Sequence, residues 1–254
     1  MKRIRLTIAY DGTNYCGWQI QPNAITIEEV LNKALRRLTK EEITVIGASR
    51  TDSGVHARAN IAVFDTESTI PPDRFAVALN QKLPEDIVIT MSEEVDSGWH
   101  PRYQDQIIKT YEYRIVNSPV LDPMKRLYSY QVTYQLDVEQ MRRAAAFIVG
   151  KHDFASFCNV RTNAKTTVRT VTDLSIVQSE DEIILHISGD GFLYNMVRII
   201  VGTLLRVGRG FYTPEDVKEI VEAKNRMAAG VTVPPQGLML VEIKYTSEFQ
   251  DEEM

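Results

Sequence analysis

The order in which strand-type and helix-type patterns alternate constrains this chain most, because nearly the same order occurs twice. Residues 3–10 alternate, with Ile4, Leu6, Ile8 and Tyr10 on one face, and Asp11-Gly12-Thr13-Asn14 supplies the turn that ends the strand. Thr26-Ile27-Glu28-Glu29 has the form of a capping box, and Ile27, Val30, Leu31, Ala34, Leu35 and Leu38 follow at the spacing of an amphipathic helix. The runs Ile43-Thr44-Val45-Ile46 and Ile61-Ala62-Val63-Phe64 read as strands. Pro71-Pro72-Asp73 opens a shorter helix with Phe75, Ala78 and Leu79 inward, Pro84 stops it, and Ile87-Val88-Ile89 closes the first series. That order, β-α-β-β-α-β, is a ferredoxin-like unit.

A second cycle starts near residue 105. The run from Ile107 to Ile115 alternates, and Asp137 caps a helix with Met141, Ala144, Ala145 and Ile148 inward. Residues 167–177 and 183–188 pair as strands across the polar Ser179-Glu180-Asp181 turn. Leu193, Met196, Val197, Ile200, Val201, Leu204 and Leu205 mark a strongly periodic helix; Thr213-Pro214 begins another, and residues 237–243 form the last strand. The expected fold is α+β: two ferredoxin-like halves, 1–104 and 105–254, the second with insertions, around a central mixed sheet, mostly antiparallel and flanked by helices.

Bulk properties remove several function classes. No apolar run approaches the length of a bilayer span, and Met1-Lys2-Arg3-Ile4-Arg5 leads into alternation rather than a signal-peptide core, so a soluble, cytoplasmic protein is expected. The two cysteines, Cys16 and Cys158, lack C-x-x-C spacing or a nearby His, which argues against a disulfide framework and a structural zinc. A net charge of -5 argues against a nucleic-acid partner at first sight. Its distribution weakens that objection: residues 242–254 alone carry -4, while Arg102 to Arg209 hold fourteen Lys and Arg against eleven Asp and Glu. Basic surface is thus available locally, without by itself showing RNA binding.

The loop Gly47-Ala48-Ser49-Arg50-Thr51-Asp52-Ser53-Gly54-Val55-His56-Ala57 is an odd connector between strands, since it packs Arg, Asp and His among small residues. Two glycines permit unusual backbone angles, and small neighbours allow close approach of a substrate to Asp52. The plainer alternative is an Asx-turn, with Asp52 bonded to its own backbone and Arg50 in water. Tyr111 lies on a strand face with Tyr113 and Ile115, where a core aromatic is the ordinary expectation. Arg198 falls at the margin of an apolar helical face, either snorkelling to water or partly buried and in need of a carboxylate. If the halves met along their sheets, Asp52 and Arg198 could pair, holding the carboxylate ionised. His56, His100, His152 and His186 form no metal motif. Gly208-Arg209-Gly210 lacks phosphate-loop spacing and reads as a turn after a helix, so a cofactor-free, metal-free enzyme working with side chains alone is expected.

Six stretches taken in order resemble the tRNA pseudouridine synthase A (TruA) family over nearly the whole chain. They are Tyr10–Tyr15 with Gly17-Trp18-Gln19, the loop Arg50-Thr51-Asp52 through Ala57, Lys109–Tyr113, Asp153–Cys158, Gly191–Tyr194 with Met196-Val197-Arg198, and Pro234–Leu238. Departures are mild: Ser49, Ser53, Ala59, Asn195, Ile199 and Met239 stand where other residues are common. The resemblance implies isomerisation of uridine to pseudouridine at about positions 38 to 40 of the tRNA anticodon stem-loop, by a homodimer. It implies Asp52 as the essential aspartate, either nucleophile or base, Tyr111 stacking on the target base, and Arg198 as partner of the Asp. Arg50 is implied to contact the RNA backbone or fill the gap left by a flipped nucleotide. Rival readings are a non-catalytic tRNA-binding module on the same scaffold and, more distantly, a hydrolase using Asp52 and His56.

Overall fold

A computed structural model describes residues 1–104, 106–159 and 165–245, and the chain divides into two compact units. Unit 1 is Met1–Ile107 together with the chain from Leu240 onward; unit 2 is Ile108–Met239. The acidic Glu248, Asp251, Glu252 and Glu253 lie outside the described residues.

Unit 1 contains β1 (Lys2–Tyr10), α1 (Ile27–Thr39), β2 (Ile46–Gly47), β3 (His56–Thr66), a 3-10 turn at Pro72–Arg74 leading into α2 (Phe75–Asn80), and β4 (Ile87–Val95). The expected β-α-β-β-α-β order is realised. β1 lies between β3 and β4, antiparallel to both. Its alternation does what a half-buried strand requires: Ile4, Leu6 and Ile8 are fully buried and Tyr10 nearly so. Helix α1 starts where Thr26 Oγ1 accepts from the Glu29 N–H, and stops at Lys40, which takes a left-handed φ of 65°. Its buried stripe is Ile27, Leu31, Ala34 and Leu35, each large aliphatic side chain contributing about 1.5–3 kcal/mol on leaving water.

One expected strand shrinks. Of Ile43–Ile46 only Ile46, with Gly47, pairs with β3. The Val45 N–H instead donates to Asn32 Oδ1 of α1 at 2.9 Å, so a helix side chain replaces the ladder partner while Ile43 and Val45 stay buried.

Unit 2 contains β5 (Ile107–Asn117) from Ile108 onward, β6 (Tyr130–Val132), α3 (Val138–Ala145), β7 (Gly150–Asp153), a 3-10 turn at Ala155–Phe157, β8 (Val168–Ser179), β9 (Glu182–Gly189), α4 (Met196–Gly208) and α5 (Pro214–Ala223). Its strands run β5-β9-β8-β7, all antiparallel, and β6 adds a parallel pairing on β5 that makes the sheet mixed. Asp137 caps α3 by accepting from Gln140 N at 3.0 Å, and Thr213 with Asp216 completes a two-armed capping box on α5. α3 packs on α4, α5 and β8. The last strand, β10 (Leu238–Tyr245), stands beside β3 and belongs from Leu240 to unit 1. The α+β class and the repeated half are therefore both present. No helix among the described residues is long and apolar enough to cross a membrane.

Helix α4 is buried nearly all round, leaving only Arg198 half-buried and Arg206 exposed. The segment before β10 lies directly along it: a Cβ on Gly202 would sit 1.9 Å from the Val231 carbonyl oxygen, and Gly230 N donates to Thr203 Oγ1 at 2.9 Å. Gly202→Ala is therefore expected to destabilise the protein by about 1–3 kcal/mol, read from denaturant midpoints, since backbone must move to admit one methyl. An unchanged midpoint would contradict this packing.

In unit 1, Arg3 clasps Asp65 across β1 and β3 with two bonds of 2.8 and 2.7 Å, and this hydrogen bonding holds the Asp65 carboxyl below its usual range. A depressed folded-state pKa gives stability that is present above the ordinary carboxylate pKa and lost as pH falls through the folded value. The midpoint difference between wild type and Asp65→Asn is expected to be modest at neutral pH, because the pair is partly exposed, and to shrink on acidification.

Candidate active site

The Asp52 loop is held by backbone contacts from the segment that follows β1. Trp18 N donates to Thr51 O at 3.0 Å, and Tyr15 O accepts from Gly54 N at 3.2 Å and from Ser53 Oγ at 3.3 Å. Gly17, with φ of 83°, lies flat against the loop: a Cβ there would be 2.7 Å from Thr51 O and 3.1 Å from the Asp52 carbonyl carbon. Gly12 does the same lower down, where a Cβ would approach Val55 O to 2.0 Å. The same dipeptide also anchors α1, since Gly17 O and Trp18 O accept from Ile27 N and Glu28 N, donors at the helix start that lack intrahelical partners. Helix, turn segment and loop are thus one bonded assembly.

Below the loop, Asn60 is fully buried and bridges both backbone groups of Ser49, accepting from its N–H at 3.2 Å and donating to its carbonyl at 3.0 Å. Tyr10 OH shares a 2.7 Å hydrogen bond with Thr51 Oγ1. His56 is 2 % exposed and its Nδ1 accepts from Gly12 N at 3.1 Å, so the ring supports the loop's far end. The loop's own turn is closed by Val55 N donating to the Asp52 carbonyl at 3.1 Å, with Gly54 N turned to Tyr15. Main-chain groups thus close this turn. Of the two loop glycines, Gly54 takes a left-handed φ of 75°. Gly47 serves a different need, because a Cβ on it would stand 2.4 Å from the Trp18 ring.

Arg50 is exposed, with a long 3.4 Å contact to Gln19. A second arginine that sequence reasoning did not single out, Arg102, donates from Nε to Gly47 O at 2.6 Å. Burial, and then the Arg50 charge, push the Arg102 pKa down, which records two guanidinium groups held near one another.

Unit 2 carries Tyr111 and Arg198. Tyr111 sits in β5 opposite Ile187, is 7 % exposed, and meets Phe192 edge to face at 5.3 Å. Arg198 is fixed by two neighbours: Nε donates to Val233 O at 2.7 Å and Nη1 to Asn195 Oδ1 at 2.7 Å. Asn195 itself adopts φ of 60° before the first turn of α4. At the other end of α4, Arg206 lies over Phe211 and Tyr212, and Arg209 lies 4.4 Å from the Tyr134 ring centre, giving stacked basic surface. Gly208 ends that helix and Gly210 turns at φ of 78°, as a post-helical turn requires. Among the described residues no group of three or more His, Cys, Asp or Glu is placed to hold a metal ion.

The sequence model of tRNA pseudouridine synthase matches residues 6–104 and 144–246, well over half of the chain. The chain belongs to the tRNA pseudouridine synthase A family. It is 50% identical over 245 residues to tRNA pseudouridine synthase A 2 of Clostridium perfringens, covering 96% of this chain and all of that protein. Tetanus and thermophile relatives agree: tRNA pseudouridine synthase A 2 of Clostridium tetani is 50% identical, covering 96% of this chain and 99% of that one. The tRNA pseudouridine synthase A of Acetivibrio thermocellus is 49% identical, covering 96% of this chain and all of that one. Membership carries the activity class with it: the chain is an isomerase that makes pseudouridine. In this family member the Gly17 contact makes a specific demand. Gly17→Ala combines an unfavourable left-handed φ with a clash against the loop that carries Asp52. Its pseudouridine-forming rate is expected to fall about 10²-fold while the far-UV circular dichroism stays native, as for a small misplacement of reacting groups. A native rate would show that the loop tolerates displacement.

Proposed function

We propose that this protein converts uridine to pseudouridine at about positions 38 to 40 of the tRNA anticodon stem-loop, with Asp52 starting the reaction. The observation that carries this is the bracing of Asp52: its loop is fixed by backbone bonds from Tyr15 and Trp18 and by contact with Gly17. A group that must act on one atom of a large substrate benefits from such preorganisation.

The chemistry suits a carboxylate. The C1'–N1 bond breaks, the uracil turns while bound, C5 bonds to C1', and the C5 proton leaves as N1 regains one. Asp52 serves either as nucleophile or as the base that initiates cleavage. Atoms balance without an external oxidant or reductant, so RNA mass is unchanged. In this reading Tyr111 stacks on the target base, Arg198 is the cation that keeps the Asp52 carboxylate ionised, and Arg50 contacts the RNA backbone or fills the vacated base position. The support for Arg198 is its fixed guanidinium, the one charged group in the packed part of α4. Recognition of a stem-loop rests mainly on shape and phosphate contacts. The working form is a homodimer in the cytoplasm, where tRNA is found.

Tritium release from tRNA labelled at C5 of uridine tests the assignment. Asp52→Ala is expected to lower release by about 10²–10⁴-fold or more with tRNA binding retained, and the wild type is expected to leave RNA mass unaltered. Near-normal turnover in Asp52→Ala would remove the loop from the chemistry. Light scattering giving a monomer at assay concentration would overturn the homodimer.

A further inference from the structure

Arg102 has no role in the reading above beyond holding Gly47. Its placement asks for more. The segment before it is anchored on both sides: Tyr245 OH donates to Pro101 O at 3.1 Å, and the Trp99 ring meets the Tyr245 ring edge to face at 5.0 Å. Arg5 stacks over both rings at 5.3 and 5.1 Å. This anchor brings the Arg102 side chain to the start of the Asp52 loop, where Nε takes Gly47 O at 2.6 Å.

A guanidinium has five N–H donors, and a brace for one carbonyl uses one. Among the described residues neither Arg102 nor Arg50, three residues along from Gly47, forms an ion pair with a carboxylate. Glu28, whose charge pulls the Arg102 pKa partly back up, is itself engaged, accepting a hydrogen bond from Ile20 N at 2.9 Å. With Arg102 fixed on Gly47 O and Arg50 three residues along the same loop, two cations serve one end of the loop, and an anion between them would turn their mutual repulsion into binding. Tyr103, 78 % exposed and stacked on His100 at 4.4 Å, lies next in the chain and offers an aromatic face beside the cations.

We propose that Arg102 and Arg50 together seat one backbone phosphate of the RNA substrate beside the Asp52 loop, so that Arg102 both braces Gly47 and binds the substrate. This rests on the RNA reading above. The fixed Nε contact orients the fork, and the terminal nitrogens meet the phosphate oxygens. A phosphate held there ties substrate position to loop position through a single side chain.

The test measures affinity for an anticodon stem-loop RNA against salt concentration, with KM and kcat from tritium release, for wild type, Arg102→Gln and Arg102→Lys. Arg102→Gln is expected to raise Kd and KM about tenfold or more, with a smaller effect on kcat. It should also lessen the slope of log affinity against log salt by about 0.7–0.9, one phosphate contact. Arg102→Lys keeps the charge and should keep the slope. Arg50→Gln combined with Arg102→Gln should lose less than the sum of the two, because both grip one group. An unchanged slope and KM in Arg102→Gln, with only kcat or melting temperature lowered, would reduce Arg102 to a brace and overturn the proposal. A measurement independent of mutant folding uses wild-type protein and stem-loops carrying one neutral methylphosphonate at successive positions around the target uridine. One of them should reproduce the loss in slope; if none does, the proposal fails. Wild type without tritium release would sink the proposed function itself, whereas an active wild type with an indifferent Arg102 sinks only the phosphate seat.

Discussion

The contact of Gly17 with the backbone of Thr51 and Asp52 is the constraint on which the Asp52 loop depends. Side-chain packing can slide by several tenths of an ångström at small cost, but backbone against backbone, with a hydrogen bond on either side, leaves little freedom. The same dipeptide satisfies the first donors of α1, so the loop inherits the rigidity of a capped helix whose apolar stripe is buried.

Unit 2 holds its own arginine, Arg198, in place. Arg198 emerges from a helix whose other residues, Arg206 apart, are buried, and it is steered by the Val233 carbonyl and the Asn195 amide. The Val233 carbonyl is available because Gly202 and Gly230 let two stretches of backbone approach without Cβ atoms between them. Both units therefore use glycine for close approach: Gly17 against the Asp52 loop, Gly202 against the segment before β10.

Much of the secondary structure was legible because it rests on local physics. β1 alternates with period two, and Thr26, Asp137 and Thr213 cap the helices they precede, since caps depend on residues a few positions apart. The short strands were not legible. β6 and β7 have three and four residues, too few for a period, and exist because a neighbouring strand offers partners. The Ile43–Ile46 pattern misled for the converse reason: Asn32, distant in sequence, takes the Val45 donor that a strand would use. Of the candidate site residues, Asp52, Arg50, Tyr111 and Arg198 stood out by residue type and by resemblance, while Arg102 did not. An Arg in a loop is ordinary until its Nε is seen on Gly47 O.

What the residues determined alone was the α+β class, the repeated strand and helix order and, through six ordered motifs, the family, because periodicity, capping and motif spacing are all written along the chain. What only the tertiary structure decided was which atoms hold the Asp52 loop. Gly12, Gly17 and Gly47 are interchangeable as letters, yet each is required by a different neighbour: Val55, Thr51 and the Trp18 ring. Those neighbours become adjacent only once β1, α1 and β3 have packed, since excluded volume between segments distant in sequence leaves no trace in local pattern.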